Sequence, residues 1–270
     1  DNALSEAESR DKTLSEKTDV PRLFGIPVVI GDDIDLAGEV STRGESRKGA
    51  AAETDADVVK YLKESGAVIV GKTNISTAAR ALNYTISTVS GETKNAYSKN
   101  LSAGGSSGGV ASSVSLNMAA AGIGGDSNGG LLLPAALNGC FALRTTEGSI
   151  STGGVYLRDS SGTVGGVARS AADLAIMTDG ITGGKTSYFD NLNSDSLVGL
   201  RVGILTELSE TTSFSSWTTN AADTETRELF LAAVAELEKC GVTVVEVSIP
   251  NLFDLYMKST YSTGGAKTVA

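Results

Sequence analysis

The sequence predicts an α/β domain, and three observations carry that. The apolar, β-branched runs Ile26-Pro27-Val28-Val29-Ile30 and Ala67-Val68-Ile69-Val70-Gly71 have the length and bounding glycines of buried strands. Between them, Asp55 to Ser65 carries apolar residues at helical spacing. The order strand, helix, strand then returns between Leu200 and Val247.

Asp1 to Val20 is charged and patternless, an exposed arm or a short helix, and Pro21 marks entry to the ordered domain, taken as 21–270. Gly25 and Gly31 bound the first strand. In the helix that follows, Val58, Val59 and Leu62 share one face and Gly66 is the stop before the second strand. Val110 to Ala121 is a helix of small residues that must pack closely, and Ala119 to Gly125 runs on as a short apolar segment. Ala171 to Ile181 is an amphipathic helix with Ala172, Leu174, Ile176 and Met177 as its apolar candidates. Leu200 to Leu205 is a strand, Thr224 to Cys240 a long helix and Val242 to Val247 another strand.

A chain of 270 residues with 40% hydrophobic content can bury a sizeable core. Its 22 basic and 32 acidic residues give a formal charge of −10, which repels phosphate backbones and anionic headgroups, so nucleic acid is not an expected partner. No run approaches the roughly 20 apolar residues of a membrane-crossing helix. Asp1 to Arg10 is too polar for a signal peptide, so the chain is expected to be soluble, and mature if secreted. Sequons at Asn74, Asn83 and Asn100 favour export mildly. Cys140 and Cys240 lie far apart and belong to no visible disulfide framework, which points to free thiols.

The chain has no histidine, which removes the commonest general base near neutral pH and the commonest zinc ligand together. No metal or cofactor is expected. Two patches are dominated by Gly, Ser and Ala: Ser102 to Ser113, and Gly124 to Gly130. One reading is a flexible linker, but apolar segments flank both closely, and a linker inside a core sequence is costly. Gly104 to Gly109 opens a helix-like stretch whose amides and hydroxyls could face an anion or a polarised carbonyl.

Gly104-Gly105-Ser106-Ser107-Gly108-Gly109, Gly125-Asp126-Ser127-Asn128-Gly129-Gly130 and Pro134-Ala135-Ala136 together resemble the core of the amidase signature family. Gly25-Ile26-Pro27-Val28, Asp32-Asp33-Ile34-Asp35, Gly66 to Asn74, Thr163-Val164-Gly165 and Ala168-Arg169-Ser170 follow the family's order, so the resemblance covers roughly 21–250. It implies an amidase-signature fold, a central mixed sheet flanked by helices, and hydrolysis of amides by a Ser-cisSer-Lys triad. It also implies further sheet and pocket segments beyond Pro250, so the chain is expected to be an incomplete domain, a fragment, or a subunit completed by a partner.

The chemistry is where the sequence departs. The family's lysine, just before its D-N-I-D-like turn, corresponds to Gly31, and the nucleophilic serine of G-T-D-x-G-G-S corresponds to Leu131. Only Ser106, at the cis-serine position, survives of the triad, with Ser107 beside it. A hydroxyl without a base is a poor nucleophile. Leu133 replaces an arginine, Arg144-Thr145-Thr146 replaces K-P-T, and Gly162 replaces an aspartate. Lys72 sits in a G-K-T-N motif that active members carry beside their separate catalytic lysine, so it is not expected to substitute.

The expectation is therefore an amidase-like pseudoenzyme: a binding, regulatory or assembly subunit with no intact catalytic residue. Its pocket candidates are Ser106, Ser107, Asp126, Asn128, Gly129, Gly130 and Leu131, with amides around Asn128 to Gly130 able to receive a carbonyl or carboxylate, or an apolar ligand set against Leu131, Leu132 and Leu133. Ser106, Asp126 and the glycines equally fit a structural role. Two alternatives stand beside it: altered, non-covalent chemistry with Asp32, Asp33 or Asp126 as acid or base, and an amide hydrolase completed by a partner chain or another copy.

Overall fold

The computed structural model describes residues 2–45, 49–79, 83–158, 160–192, 197–205 and 221–252. The chain divides into two compact units, Asp1–Leu192 and Asn193–Ala270. In chain order the first holds α1 (Asn2–Glu16), β1 (Pro27–Gly31), α2 (Asp57–Glu64), β2 (Val68–Thr73), β3 (Ile86–Ser87), β4 (Gly91–Glu92), α3 (Gly108–Ser115), β5 (Ala121–Asp126), α4 (Leu132–Leu137), β6 (Phe141–Arg144), β7 (Thr163–Ala168) and α5 (Ala171–Ile181).

The main sheet runs β2-β1-β5-β7-β6. β1 pairs in parallel with β2 and with β5, while β7 is antiparallel to both β5 and β6, so the sheet is mixed. Alternation along β1 splits the interior: Val28 and Ile30 join Val58, Val59, Leu62 and Met177 on the face covered by α2 and α5, and Val29 joins Val110, Val114 and Leu131 on the face covered by α3 and α4. β3 and β4 form a separate antiparallel pair.

Close packing explains the glycine-rich sequence of β5. A Cβ on Gly122 would meet Val110 Cγ1 at 2.7 Å and Val29 Cγ2 at 2.8 Å, so the bare strand lets α3 settle against the sheet. The two glycine patches are thus not linkers, since Ala103 to Val110 and Ala121 to Asp126 are buried throughout. α3 is shorter than its sequence suggests because Asn117 takes a left-handed φ of 61°, and the chain after it re-enters the sheet as β5. The patternless first stretch is a helix, α1.

The second unit has β8 (Arg201–Leu205), α6 (Ala221–Lys239) and β9 (Thr243–Val247), with β8 and β9 parallel from Arg201↔Thr243 to Leu205↔Val247. Cys140 and Cys240 are both free thiols. Among the described residues no helix is long and apolar enough to cross a membrane. The sequons at Asn83 and Asn100 are exposed, whereas the Asn74 side-chain amide donates to Gly91 O and Thr93 Oγ1, each at 3.0 Å.

Candidate functional site

β1 and β5 lie side by side and finish at the same end of the sheet, and the site is built where they stop. After Gly31 the chain turns through Asp32 and Asp33, and the turn is tied down by Tyr156 N–H donating to Asp33 O at 2.8 Å. The Asp33 side chain is 2% exposed. Its carboxyl lies wedged between two glycines: a Cβ on Gly31 would collide with Oδ1, well inside the 3.0 Å limit of real Cβ contacts, and a Cβ on Gly125 would stand 2.9 Å from Oδ2.

Oδ1 is buried without a hydrogen-bond partner among the described residues. Burial is the main force on this carboxyl and, with the neighbouring Asp32 charge, pushes it up to about 6. A backbone hydrogen bond and the charges of Lys72 and Arg43 work the other way.

Ser106 reaches the same corner from the loop before α3. The Gly105–Ser106 peptide is cis. Ser106 O accepts from Ser76 N–H at 3.0 Å and Thr85 Oγ1 at 3.2 Å, and a Cβ on Gly130 would lie 3.1 Å from Ser106 Oγ. Asp33, Ser106, Gly125, Asn128, Gly130 and Arg158 are among the walls of a cavity of about 20 Å³, room for a single water-sized group.

The glycine turn after β5 is organised by Asp126, which is fully buried. Its Oδ1 accepts from Gly129 N–H at 2.7 Å, and its Oδ2 accepts from Leu131 and Leu132 N–H at 3.0 and 3.2 Å. Arg144 adds an ion pair to Oδ1 at 3.2 Å and a hydrogen bond to Asp126 O. With so many donors converging on it, Asp126 holds the turn and has no free oxygen to act as acid or base. Of the three amides expected to receive a carbonyl, Gly129 is committed to Asp126, leaving Asn128 and Gly130 beside the cavity.

Ser107 staples the two glycine segments together: its N–H donates to Gly130 O at 2.9 Å and its Oγ to Gly125 O at 3.1 Å. The start of α3 is not an anion site. Gly108 N–H donates to Thr85 Oγ1 at 3.0 Å and Gly109 N–H to Asn74 O at 3.2 Å, so these amides are already satisfied within the protein.

Leu131 turns away from the cavity. It is fully buried in the core cluster with Val29, Val110, Val114 and Val167. Leu132 is 39% exposed, so Leu131, Leu132 and Leu133 do not form one apolar wall, and none of the three lines the cavity beside Ser106. Lys72 also lies elsewhere. Its Nζ donates to Ser41 Oγ at 2.7 Å, pairs with Asp32 at 3.4 Å and lines a separate groove of about 630 Å³. Burial pulls the Lys72 ammonium below the usual lysine range, against the pull of Asp32, Asp35 and Asp33.

The family described as "Amidase" matches residues 1–268. The chain belongs to the amidase family. Among curated relatives, a glutamyl-tRNA(Gln) amidotransferase subunit from a Sulfurihydrogenibium species is 33% identical over 275 residues, covering 97% of this chain and 54% of its own. The native peptide amidase of Stenotrophomonas maltophilia superposes with a TM-score of 0.79 at 31% identity, covering 95% of this chain and 54% of its own. An amidase family protein of Bacillus anthracis gives a TM-score of 0.78 at 27% identity, over 93% and 52% of the two chains. This amidase-family chain thus spans about half the length of these relatives, and its fold is the amidase-signature fold, with helices on both faces of a mixed central sheet.

The feature that sequence reasoning missed is the isolation of Asp33, a buried carboxyl without a partner for Oδ1 among the described residues, on the same cavity as Ser106. Its signal was present: an acidic pair directly after a glycine where the family carries lysine. Tyr156 and Arg158, which reach the cavity from the segment before β7, left no signal in the pattern.

Proposed function

We propose that this amidase-family chain is a pseudoenzyme, a binding, regulatory or assembly subunit that keeps the scaffold without Ser-cisSer-Lys amide hydrolysis. The observation that carries the reading is Leu131. At the position the resemblance gives to the nucleophile stands an aliphatic side chain, fully buried in the core and pointing away from the cavity that Ser106 lines.

Gly31 supports it from the other side, because the position given to the base has no side chain and its space is taken by the Asp33 carboxyl. Removing one member of a cooperative triad costs on the order of 10⁴ to 10⁶ in turnover, and two are replaced here. The test is ammonia release from a panel of peptide amides and aliphatic and aromatic carboxamides, with an active amidase alongside. Release at the buffer rate is expected; turnover abolished by Ser106→Ala contradicts the reading.

A second reading is favoured by one specific observation. The relative from Sulfurihydrogenibium is named as a subunit, which supports a form in which this chain acts together with a partner chain or a second copy. Sedimentation of the purified chain alone, then with proteins expressed from neighbouring genes, separates a self-sufficient unit from one that needs a partner.

A further inference from the structure

We propose that the open edge of β2 is a docking site for an extended, lysine-bearing segment of a partner protein, which pairs with the strand's backbone and sets its cations against Glu6 and Glu39. This site is independent of the loss of amide hydrolysis, because none of the residues lining its groove lines the cavity beside Ser106.

The strand itself supplies the first ground. β2 ends the main sheet on its side and is hydrogen-bonded to β1 alone. Among the described residues, the N–H and C=O groups of Ile69 to Lys72 that face away from β1 make no hydrogen bond. A row of unpaired backbone donors and acceptors is a template for another strand, and proteins ordinarily cover, bend or charge such an edge. Lys72 is the one charged side chain of β2, and it is not free to guard the edge. Its Nζ donates to Ser41 Oγ at 2.7 Å and Val40 O at 3.3 Å, and pairs with Asp32 at 3.4 Å.

The second ground is access. Ile69, Val70, Gly71 and Lys72 all line the groove of about 630 Å³, whose other walls come mainly from the first turns of α1 and from the loop that follows Asp35. Val70 is 42% exposed there. The groove has the volume of an ordinary ligand site. Four strand residues span about 13 Å, the length of a short extended peptide.

Charge selects the occupant. The Glu6 and Glu39 carboxylates line the groove and have no ion pair or hydrogen bond among the described residues. Both lysines of the groove are already neutralised, Lys63 by Asp55 at 2.7 Å and Lys72 by Asp32. Asp35 lies behind Lys72, accepting from Ser41 Oγ at 2.7 Å. Negative charge is thus in excess around the groove, on a chain whose overall formal charge is −10. Such a field attracts a cationic segment and repels an acidic one, including the same face of a second copy. Strand addition of this kind takes affinity from main-chain hydrogen bonds and specificity from alternate side chains, here the cations.

The test uses the whole chain titrated with an end-blocked Lys-Val-Lys-Val-Lys peptide at physiological ionic strength and neutral pH, followed by two-dimensional NMR and amide hydrogen exchange. One control is the same peptide N-methylated at every backbone amide, which keeps the charge and cannot donate to the strand. The other is the Glu-Val-Glu-Val-Glu peptide, which can pair but carries the opposite charge. Saturable shifts and slowed exchange of the Val70, Gly71 and Lys72 amides are expected with the basic, unmethylated peptide alone.

Glu6→Lys and Glu39→Lys are each expected to weaken binding about tenfold while the spectrum stays folded. Glu6 is half-buried and Glu39 exposed, so Glu39→Lys carries the comparison if Glu6→Lys disturbs α1. Equal binding of the methylated peptide overturns the proposal, because it shows only diffuse attraction to an acidic chain. Equal binding of the acidic peptide, unchanged affinity in Glu39→Lys, or no saturable response overturns it as well. So does a free chain that sediments as a dimer with its β2 amides already protected, because a second copy then holds the edge.

Discussion

The Asp33 carboxyl stands where a side chain at Gly31 would begin, and neither can be enlarged without moving the other. The resemblance gives position 31 to the family's base, and on the proposed reading a side chain there and the Asp33 carboxyl compete for one space. Gly31→Ala is expected to destabilise the chain by about 1–3 kcal/mol through overpacking. Combined with Asp33→Ala, the cost should shrink markedly, and denaturant unfolding of the four members of the cycle measures that coupling. Additive effects would show that the two positions do not compete for space.

Asp33 is expected to make stability pH-dependent. Its carboxyl titrates at about 6 in the fold against an ordinary 3.8, so the folded chain holds this proton more tightly than the unfolded one. Below about pH 4 both states are protonated and nothing is lost; between 4 and 6 stability falls, and above 6 the full cost, on the order of 3 kcal/mol, is present. Asp33→Asn is therefore expected to stabilise the chain at pH 7.5 by up to about 3 kcal/mol and to lose that advantage at pH 4. Thermal unfolding at both pH values checks it, and an unstabilised variant at pH 7.5 contradicts it.

Asp126 is expected to be structural. Removing its carboxylate takes the ion pair from Arg144, which keeps its bonds to the Asp126 and Ser161 carbonyls, and leaves the Gly129, Leu131 and Leu132 amides without their acceptor. Asp126→Ala should cost about 3–5 kcal/mol, the usual penalty for breaking a buried pair on one side. Amide hydrogen exchange should localise the loss to the turn after β5.

Leu131→Ser alone is expected to lose about 2–5 kcal/mol, because it removes a side chain that fills the space left open by Gly124 and Gly165. A variant as stable as the parent would show that the serine finds the pocket-facing orientation without disturbing the core.

Much of this was legible in the sequence. β1, α2 and β2 follow from apolar runs with correct periods, and the order of glycine motifs carried the family. β7 was visible only as a family motif and β5 only as a short apolar segment, because Ala-Gly-Ile-Gly-Gly-Asp has a single β-branched residue and a glycine pair interrupts Thr-Val-Gly-Gly-Val-Ala; their glycines serve close approach, which is a property of the neighbours. β6 and α4 are short elements with no period of their own, and went unnoticed. In the site, the departures of Gly31 and Leu131 from the pattern that the sequence resembles were readable, but the side to which Leu131 turns, the commitment of Asp126 and the isolation of Asp33 depend on contacts between residues far apart in sequence.

The central claim, a preserved scaffold whose chemistry was lost at two positions, is tested most directly by a fluorophosphonate probe followed by intact mass. The parent chain, an active amidase and a variant carrying Gly31→Lys, Asp33→Asn and Leu131→Ser are compared; Asp33→Asn is included because a lysine at 31 meets the Asp33 carboxyl. The account predicts an unlabelled parent and a labelled variant. A parent labelled on Ser106 or Ser107 contradicts it, since a serine would then be activated by a base within the present site.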